Sequence, residues 1–129
     1  MILLDTQALA WLALQPEKLS RKETAAIAQA RKETGLAISD ETLWELAMMF
    51  SRGRIELEVT LLEFLREVEQ FCTVLATNSA IAARSVQFSR LFPSDPADRV
   101  IAATAIVYGV PLITADAAIR KSGEVQCIW

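Results

Sequence analysis

Five short apolar runs, Ile2–Leu4, Leu36–Ile38, Thr73–Leu75, Leu112–Ile113 and Val125–Ile128, constrain the fold of this chain more than any other feature. Each is too short for a helix and none alternates polar with apolar, so each reads as a strand buried on both faces. Strands of that kind belong to parallel sheets covered by helices on either side. The stretches between them carry helix signals. Ser20 with Glu23 and Thr60 with Glu63 have capping-box spacing, Asn78 is placed to cap the next helix, and Asp95 precedes Pro96 at a first helical position. Gly35 and Gly109 fall where helices stop, and Pro111 follows the second. The resulting order is β at 2–4, helices at 6–14 and 20–34, β at 36–38, helices at 40–52 and 60–70, β at 72–75, helices at 78–91 and 96–108, β at 111–114, a short helix at 116–120 and β at 125–128. That pattern is an α/β three-layer sandwich with a central, mostly parallel five-stranded sheet flanked by helices.

Residues 1–129 are read as one domain, and a hydrophobic content of 53% supplies a sizeable core. No apolar run approaches the roughly 20 residues of a membrane helix. The N-terminus enters its first strand without the basic region and cleavage site of a secretory signal, so a cytoplasmic protein is expected. Cys72 and Cys127 stand in apolar contexts and read as small buried hydrophobes rather than a disulfide or a thiolate metal site. A formal charge of −3 offers nucleic acid no bulk attraction, so a phosphate substrate would need local help. The sequence has no histidine, which excludes Ser-His-Asp triads, Cys-His pairs, histidine-bearing zinc sites and paired-histidine cleavage of RNA. Carboxylates, hydroxyls, lysine and a bound metal ion remain.

Four acids stand where apolar runs give way to helices or just inside them: Asp5, Glu45, Asp98 and Asp116. Ligands of open parallel sheets bind beyond the carboxyl ends of the strands, where connections diverge. Asp5 and Asp116 follow the first and fourth strands and belong to that edge. Asp98 projects from the first turn of the helix feeding the fourth strand, and Glu45 borders the core of its own helix. Singly, each has an ordinary reading. Aspartates at helix starts cap N–H groups and complement the dipole, contributing about 0.5–2 kcal/mol, and a helical glutamate is commonly solvated. Brought together they repel and raise one another's pKa, a cost that a divalent cation removes. Oxygen-only ligation selects Mg²⁺ or Mn²⁺. The matching chemistry is metal-assisted phosphodiester hydrolysis, with water acidified and transition-state charge neutralised.

In order, spacing and flanking residues, the segments Leu3 to Trp11, Ser39 to Ala47, Asp95 to Ala105 and Pro111 to Asp116 resemble a PIN-domain protein, specifically the VapC-type toxin ribonuclease of a bacterial VapBC toxin–antitoxin pair. The likeness covers essentially the whole chain and is most specific in the opening segment and in Asp95 to Ala105. It implies a Rossmann-like sandwich, a Mg²⁺- or Mn²⁺-dependent endoribonuclease, a homodimer, and silencing by a VapB-type antitoxin. The family's acidic positions fall on Asp5, Glu45, Asp98 and Asp116. Asp5 and Asp98 would be the most direct metal ligands, with Asp116 joining them; Glu45 and Asp116 would help hold a second ion or orient water. Thr6 and Thr114 would hold waters or a phosphate oxygen. The resemblance departs at Gln7, where such toxins often carry histidine; glutamine hydrogen-bonds like neutral imidazole but does not titrate.

An RNA substrate needs positive charge near the acids. Arg99, Arg120 and Lys121 lie closest in sequence, with solvated helix-surface cations as the alternative reading. Arg52 and Arg54 either contact phosphate or complement the C-terminal dipole of helix 40–52. Trp11, Trp44, Met48 and Met49 are either core or an adaptable helix-binding groove, which under the resemblance would take the antitoxin. The competing function is a PIN-like scaffold that binds RNA or protein without cutting. Haloacid-dehalogenase and receiver patterns fit poorly: the first needs aspartate where Gln7 stands, and the second needs an acidic pair that Asp5 and Thr6 do not supply.

Overall fold

The computed structural model describes residues 1–129. Its elements are β1 (Ile2–Leu4), α1 (Thr6–Leu14), α2 (Arg21–Glu33), β2 (Leu36–Ser39), α3 (Asp40–Ser51), α4 (Leu61–Phe71), β3 (Thr73–Leu75), α5 (Ser79–Ser85), α6 (Pro96–Tyr108), β4 (Leu112–Ile113), α7 (Ala117–Ser122) and β5 (Cys127–Ile128). A single 3₁₀ turn, Pro16–Lys18, joins α1 to α2. The strands form one sheet in the order β3-β2-β1-β4-β5, and every pairing is parallel. From β1 the chain builds outward through β2 and β3, then returns to the other side of β1 for β4 and β5. The switch point therefore lies between β1 and β4, whose register pairs Leu3 with Leu112 and Leu4 with Ile113.

Period-2 alternation sends neighbouring strand residues to opposite faces, and both faces are dry. Leu4, Leu36, Ile38 and Ile113 pack with α1, α2, α4 and Leu46 of α3. Leu3, Ala37 and Leu112 pack on the other side with Ile81 of α5, Ile119 of α7 and the alanine-rich face of α6, including Ala102, Ala103 and Ala105. Small side chains there let α6 lie close to the sheet. No helix is long and apolar enough to cross a membrane.

Local signals mark most of the helix ends. Thr60 and Glu63 form the reciprocal capping box, Asn78 caps Ile81 N–H at 2.9 Å, and Asp95 caps Asp98 N–H at 3.1 Å. Gly109 closes α6 in the left-handed region, φ +66°, a conformation that disfavours any side chain.

Two expectations fail. Ser20 makes no side-chain cap, and Glu23, instead of reaching back to the helix start, is fully buried with neither carboxylate oxygen hydrogen-bonded. The helix expected over 78–91 ends at Ser85. Tertiary anchors override propensity beyond that point: Phe88 and Phe92 stack at 4.0 Å and are buried, and Ser89 is clipped to Glu124 through its N–H (3.0 Å) and hydroxyl (2.9 Å). Neither cysteine forms a disulfide, and burial pushes the Cys72 thiol up to about 11, as befits an unreactive core residue.

Candidate active site

Parallel pairing at the switch point puts the ends of β1 and β4 side by side, and Asp5 N–H donates to Ile113 O at 3.1 Å. Asp5 caps α1 by accepting Ala8 N–H at 2.8 Å. Asp116 caps α7 by accepting Ala118 and Ile119 N–H at 2.8 and 3.0 Å. Both acids thus do the capping that helix starts favour, and both line one cavity of about 880 Å³. Glu45 enters that cavity from α3 and Asp98 from the first turn of α6.

The carboxylates feel one another. Burial raises Asp5 above the ordinary range; the Thr114 hydroxyl and Ala8 N–H oppose the rise, and the Asp116 charge adds to it. Burial likewise raises Glu45, against the Thr6 hydroxyl and with the charges of Asp95, Glu41 and Asp5. Asp98 is pushed up to about 7, by burial first and then by Asp95, Glu45, Asp116 and Asp5. Four acids from four separated segments therefore form one electrostatic unit.

Thr6 and Thr114 are buried, at 6% and 0% exposure, so their first task is internal. The Thr6 hydroxyl donates to Glu45 and lies 3.1 Å from the Thr42 hydroxyl. A hydroxyl has one proton, so the chain runs Thr42 to Thr6 to Glu45 and fixes the glutamate's direction. Thr114 accepts Asp116 N–H at 3.1 Å.

A PIN-domain family model matches residues 2–124. The chain belongs to the PIN-domain family. This PIN domain is 34% identical to Ribonuclease VapC22 of Mycobacterium tuberculosis over 120 residues, 93% of this chain and 90% of that relative. Among solved structures it resembles VapBC2 from Rickettsia felis bound to a DNA fragment from their promoter, with a TM-score of 0.74, 15% identity and coverage of 98% of this chain and 97% of that one. DNA-bound VapBC from Salmonella typhimurium matches with a TM-score of 0.74, 17% identity and coverage of 98% and 95%. At these identities the structural likenesses carry the fold.

The remaining expected residues of the PIN domain divide. Arg99 turns from the cavity to the irregular segment before α6, where Nε donates to Pro93 O at 2.8 Å and Nη2 to Phe92 O at 3.4 Å. It is a brace for that segment rather than a substrate ligand. Arg99→Ala is expected to lower stability by about 1–3 kcal/mol, because charged donors to partly buried carbonyls are lost; urea unfolding checks this. The four residues expected to form one groove are also separated. Trp11 and Met49 line the acidic cavity, whereas Trp44 is 58% exposed and, with Met48 four residues on, faces another direction of α3.

Two cations and an acid in the cavity wall escaped the sequence reading or were left ambiguous: Lys18, Arg54 and Glu56. The four-residue spacing of Gln7, Trp11 and Gln15 was the available signal for the Lys18 side. Glu56 lies in a connection with no periodicity to read.

The chemistry of this donor set fits a hard divalent cation: the ligands are all oxygen, they are crowded by like charge, and no histidine or thiolate competes. In the conformation seen, no three carboxylates come together as a closed ligand cage. Asp5, Asp116 and Glu45 are each held by the separate hydrogen bonds described above.

Proposed function

We propose that this protein is a Mg²⁺- or Mn²⁺-dependent endoribonuclease, the toxin of a type II toxin–antitoxin pair, held in check by a VapB-type antitoxin. The observation that carries this reading is the convergence of Asp5, Glu45, Asp98 and Asp116 on one cavity, with Asp98 pushed up to about 7. Likeness to a ribonuclease along 93% of the chain supports it.

Asp5, Asp98 and Asp116 would hold the cation, with Glu45 beside them. When bound, such an ion supplies Lewis acidity toward water and phosphate and neutralises charge in the transition state. The chain's own contribution is positional. Strand ends and helix caps fix Asp5 and Asp116, and the Thr42–Thr6 pair aims Glu45 at the cavity, where a carboxylate can orient water or accept its proton.

An apolar groove of about 770 Å³, lined by Leu12, Leu57, Val59, Phe64, Val68 and Phe71 among others, supports the antitoxin part of the reading as a seat for an amphipathic segment. The exposed Trp44 and Phe50 of α3 support self-association.

The test is cleavage of total RNA and short oligoribonucleotides by antitoxin-free protein with Mg²⁺, Mn²⁺ or EDTA, beside Asp5→Asn. Cutting is expected with either ion and not with EDTA or the variant. Folded protein that binds RNA but never cuts it would establish the scaffold reading instead.

A further inference from the structure

A row of side chains leads away from the acids along α1. Gln7 and Trp11 stand four residues apart on α1 and share a face, Gln15 follows as the residue that ends the helix, and all three line the cavity. Gln7 to Trp11 spans about 6 Å of helix. Beyond it the 3₁₀ turn brings Lys18 to the same cavity, with its ammonium 5.8 Å from the Trp11 ring centroid. Arg54 joins from the turn after α3. Trp11 is half-buried and leans on Trp129, ring centroids 5.7 Å apart at 42°, so the indole is braced yet still borders open space.

These are the charges and surfaces that the acidic end lacks. A phosphate chain entering among Asp5, Glu45, Asp98, Asp116 and Glu56 needs positive charge, and the cavity's only cationic side chains are Lys18 and Arg54. Arg99 is bound to Pro93 and Phe92 carbonyls, and Arg120 reaches Ala115 O at 3.4 Å without lining the cavity. An indole face stacks any unpaired base, carboxamides on either side of it both donate and accept at base edges, and an ammonium meets the phosphate. A cation–π contact as long as that of Lys18 with Trp11 is weaker than base–indole stacking, so an entering base displaces it.

We propose that Gln7, Trp11 and Gln15, with Lys18 and Arg54, form a nucleotide subsite that seats one unpaired RNA base on the Trp11 ring beside the scissile phosphate. The proposal rests on the nuclease reading and names what selects its substrate: unpaired RNA, held through one stacked base and one or two phosphates.

The test measures binding separately from cleavage. In an Asp98→Asn background with Mg²⁺, the anisotropy of a short fluorescein-labelled oligoribonucleotide that the unmodified protein cuts is titrated, together with copies bearing a single abasic nucleotide at each position in turn. Trp11→Leu, which keeps apolar bulk against Trp129, is expected to weaken binding of the intact strand roughly 5- to 150-fold. That penalty should vanish for the copy abasic at one position, and Trp11→Phe should restore most of the affinity. Lys18→Gln should weaken binding and flatten the log–log salt dependence by about 0.7, whereas Trp11→Leu should leave that slope alone. Equal binding by Trp11→Leu, a penalty that persists for every abasic copy, or an unchanged slope for Lys18→Gln overturns the subsite. So does a Trp11→Leu protein that binds RNA normally but escapes its antitoxin, which would assign the row to a protein segment. Failure of the unmodified protein to cut any RNA removes the nuclease reading itself; cutting with Trp11-independent binding removes only the subsite.

Discussion

Replacing Asp98 with asparagine is expected to reduce RNA cleavage on the order of a thousandfold or more while making the metal-free protein more stable. On the proposed mechanism, loss of activity follows from removing one of the carboxylates that would hold the cation. The gain in stability follows from linkage. The folded Asp98 carboxyl is pushed up to about 7 from an ordinary 3.8, because burial and then Asp95, Glu45, Asp116 and Asp5 disfavour its charge. Between those two values the folded chain holds a proton that the unfolded chain has released, so this group makes stability fall as pH rises through the window. Solvent screening of a partly exposed group discounts the full conversion to about 1–2 kcal/mol. At pH 8, without divalent ions, Asp98→Asn should therefore melt about 3–8 °C higher than the unmodified protein. Below the unfolded pKa the two should converge. Added Mg²⁺ should stabilise the unmodified protein more than the variant, and less as pH drops below 7, since protons compete with the ion for Asp98. A variant that melts lower at pH 8 would mean that burial and the neighbouring charges do not disfavour the Asp98 carboxylate.

Leu46→Ala is the second large effect. Leu46 is fully buried next to Glu45 in α3 and packs in the cluster that contains Leu4, Ile38 and Ile113. Truncation leaves a cavity where α3 meets the sheet, at a cost of about 2–5 kcal/mol. Thermal melting should fall by roughly 8 °C or more. Leu46→Met, which conserves volume, should cost less than about 1.5 kcal/mol. Because the same helix carries Glu45 opposite Thr6, the alanine variant should also lose cleavage at temperatures where it remains folded, and the methionine variant should keep it. A loss under 1 kcal/mol for the alanine variant would show that α3 can collapse onto the sheet, contrary to the packing described.

The fold was legible because its signals are local. Five brief apolar runs bounded by caps and glycines leave few architectures, and the strand and helix positions follow within a residue or two, except where Phe88, Phe92 and the Ser89–Glu124 clip take the chain out of the expected helix after Ser85. Glu23 shows the same limit from the other side. Its spacing from Ser20 matched a capping box, yet the side chain is buried without a partner.

The candidate site was legible in part for a similar reason. Asp5, Asp98 and Asp116 sit at helix starts, and Glu45 follows one, so the four acids could be named from the sequence. Their neighbours could not. Arg99 adjoins Asp98 in sequence, but helix geometry and the segment before α6 draw its guanidinium to Pro93 and Phe92. Lys18 and Arg54 are well separated in sequence from Asp5, Glu45, Asp98 and Asp116, yet share their cavity.

By itself, the sequence determined the α/β class, most of the helix starts, the four acids at or just inside them and the absence of any histidine mechanism, because these depend on residue type and short-range spacing. The tertiary structure decided which charges face the acids, that Thr6 serves Glu45, and that Trp11 parts from Trp44. Those outcomes depend on the β1–β4 switch and on which face each helix turns to the sheet, relations set by packing between segments far apart in the chain.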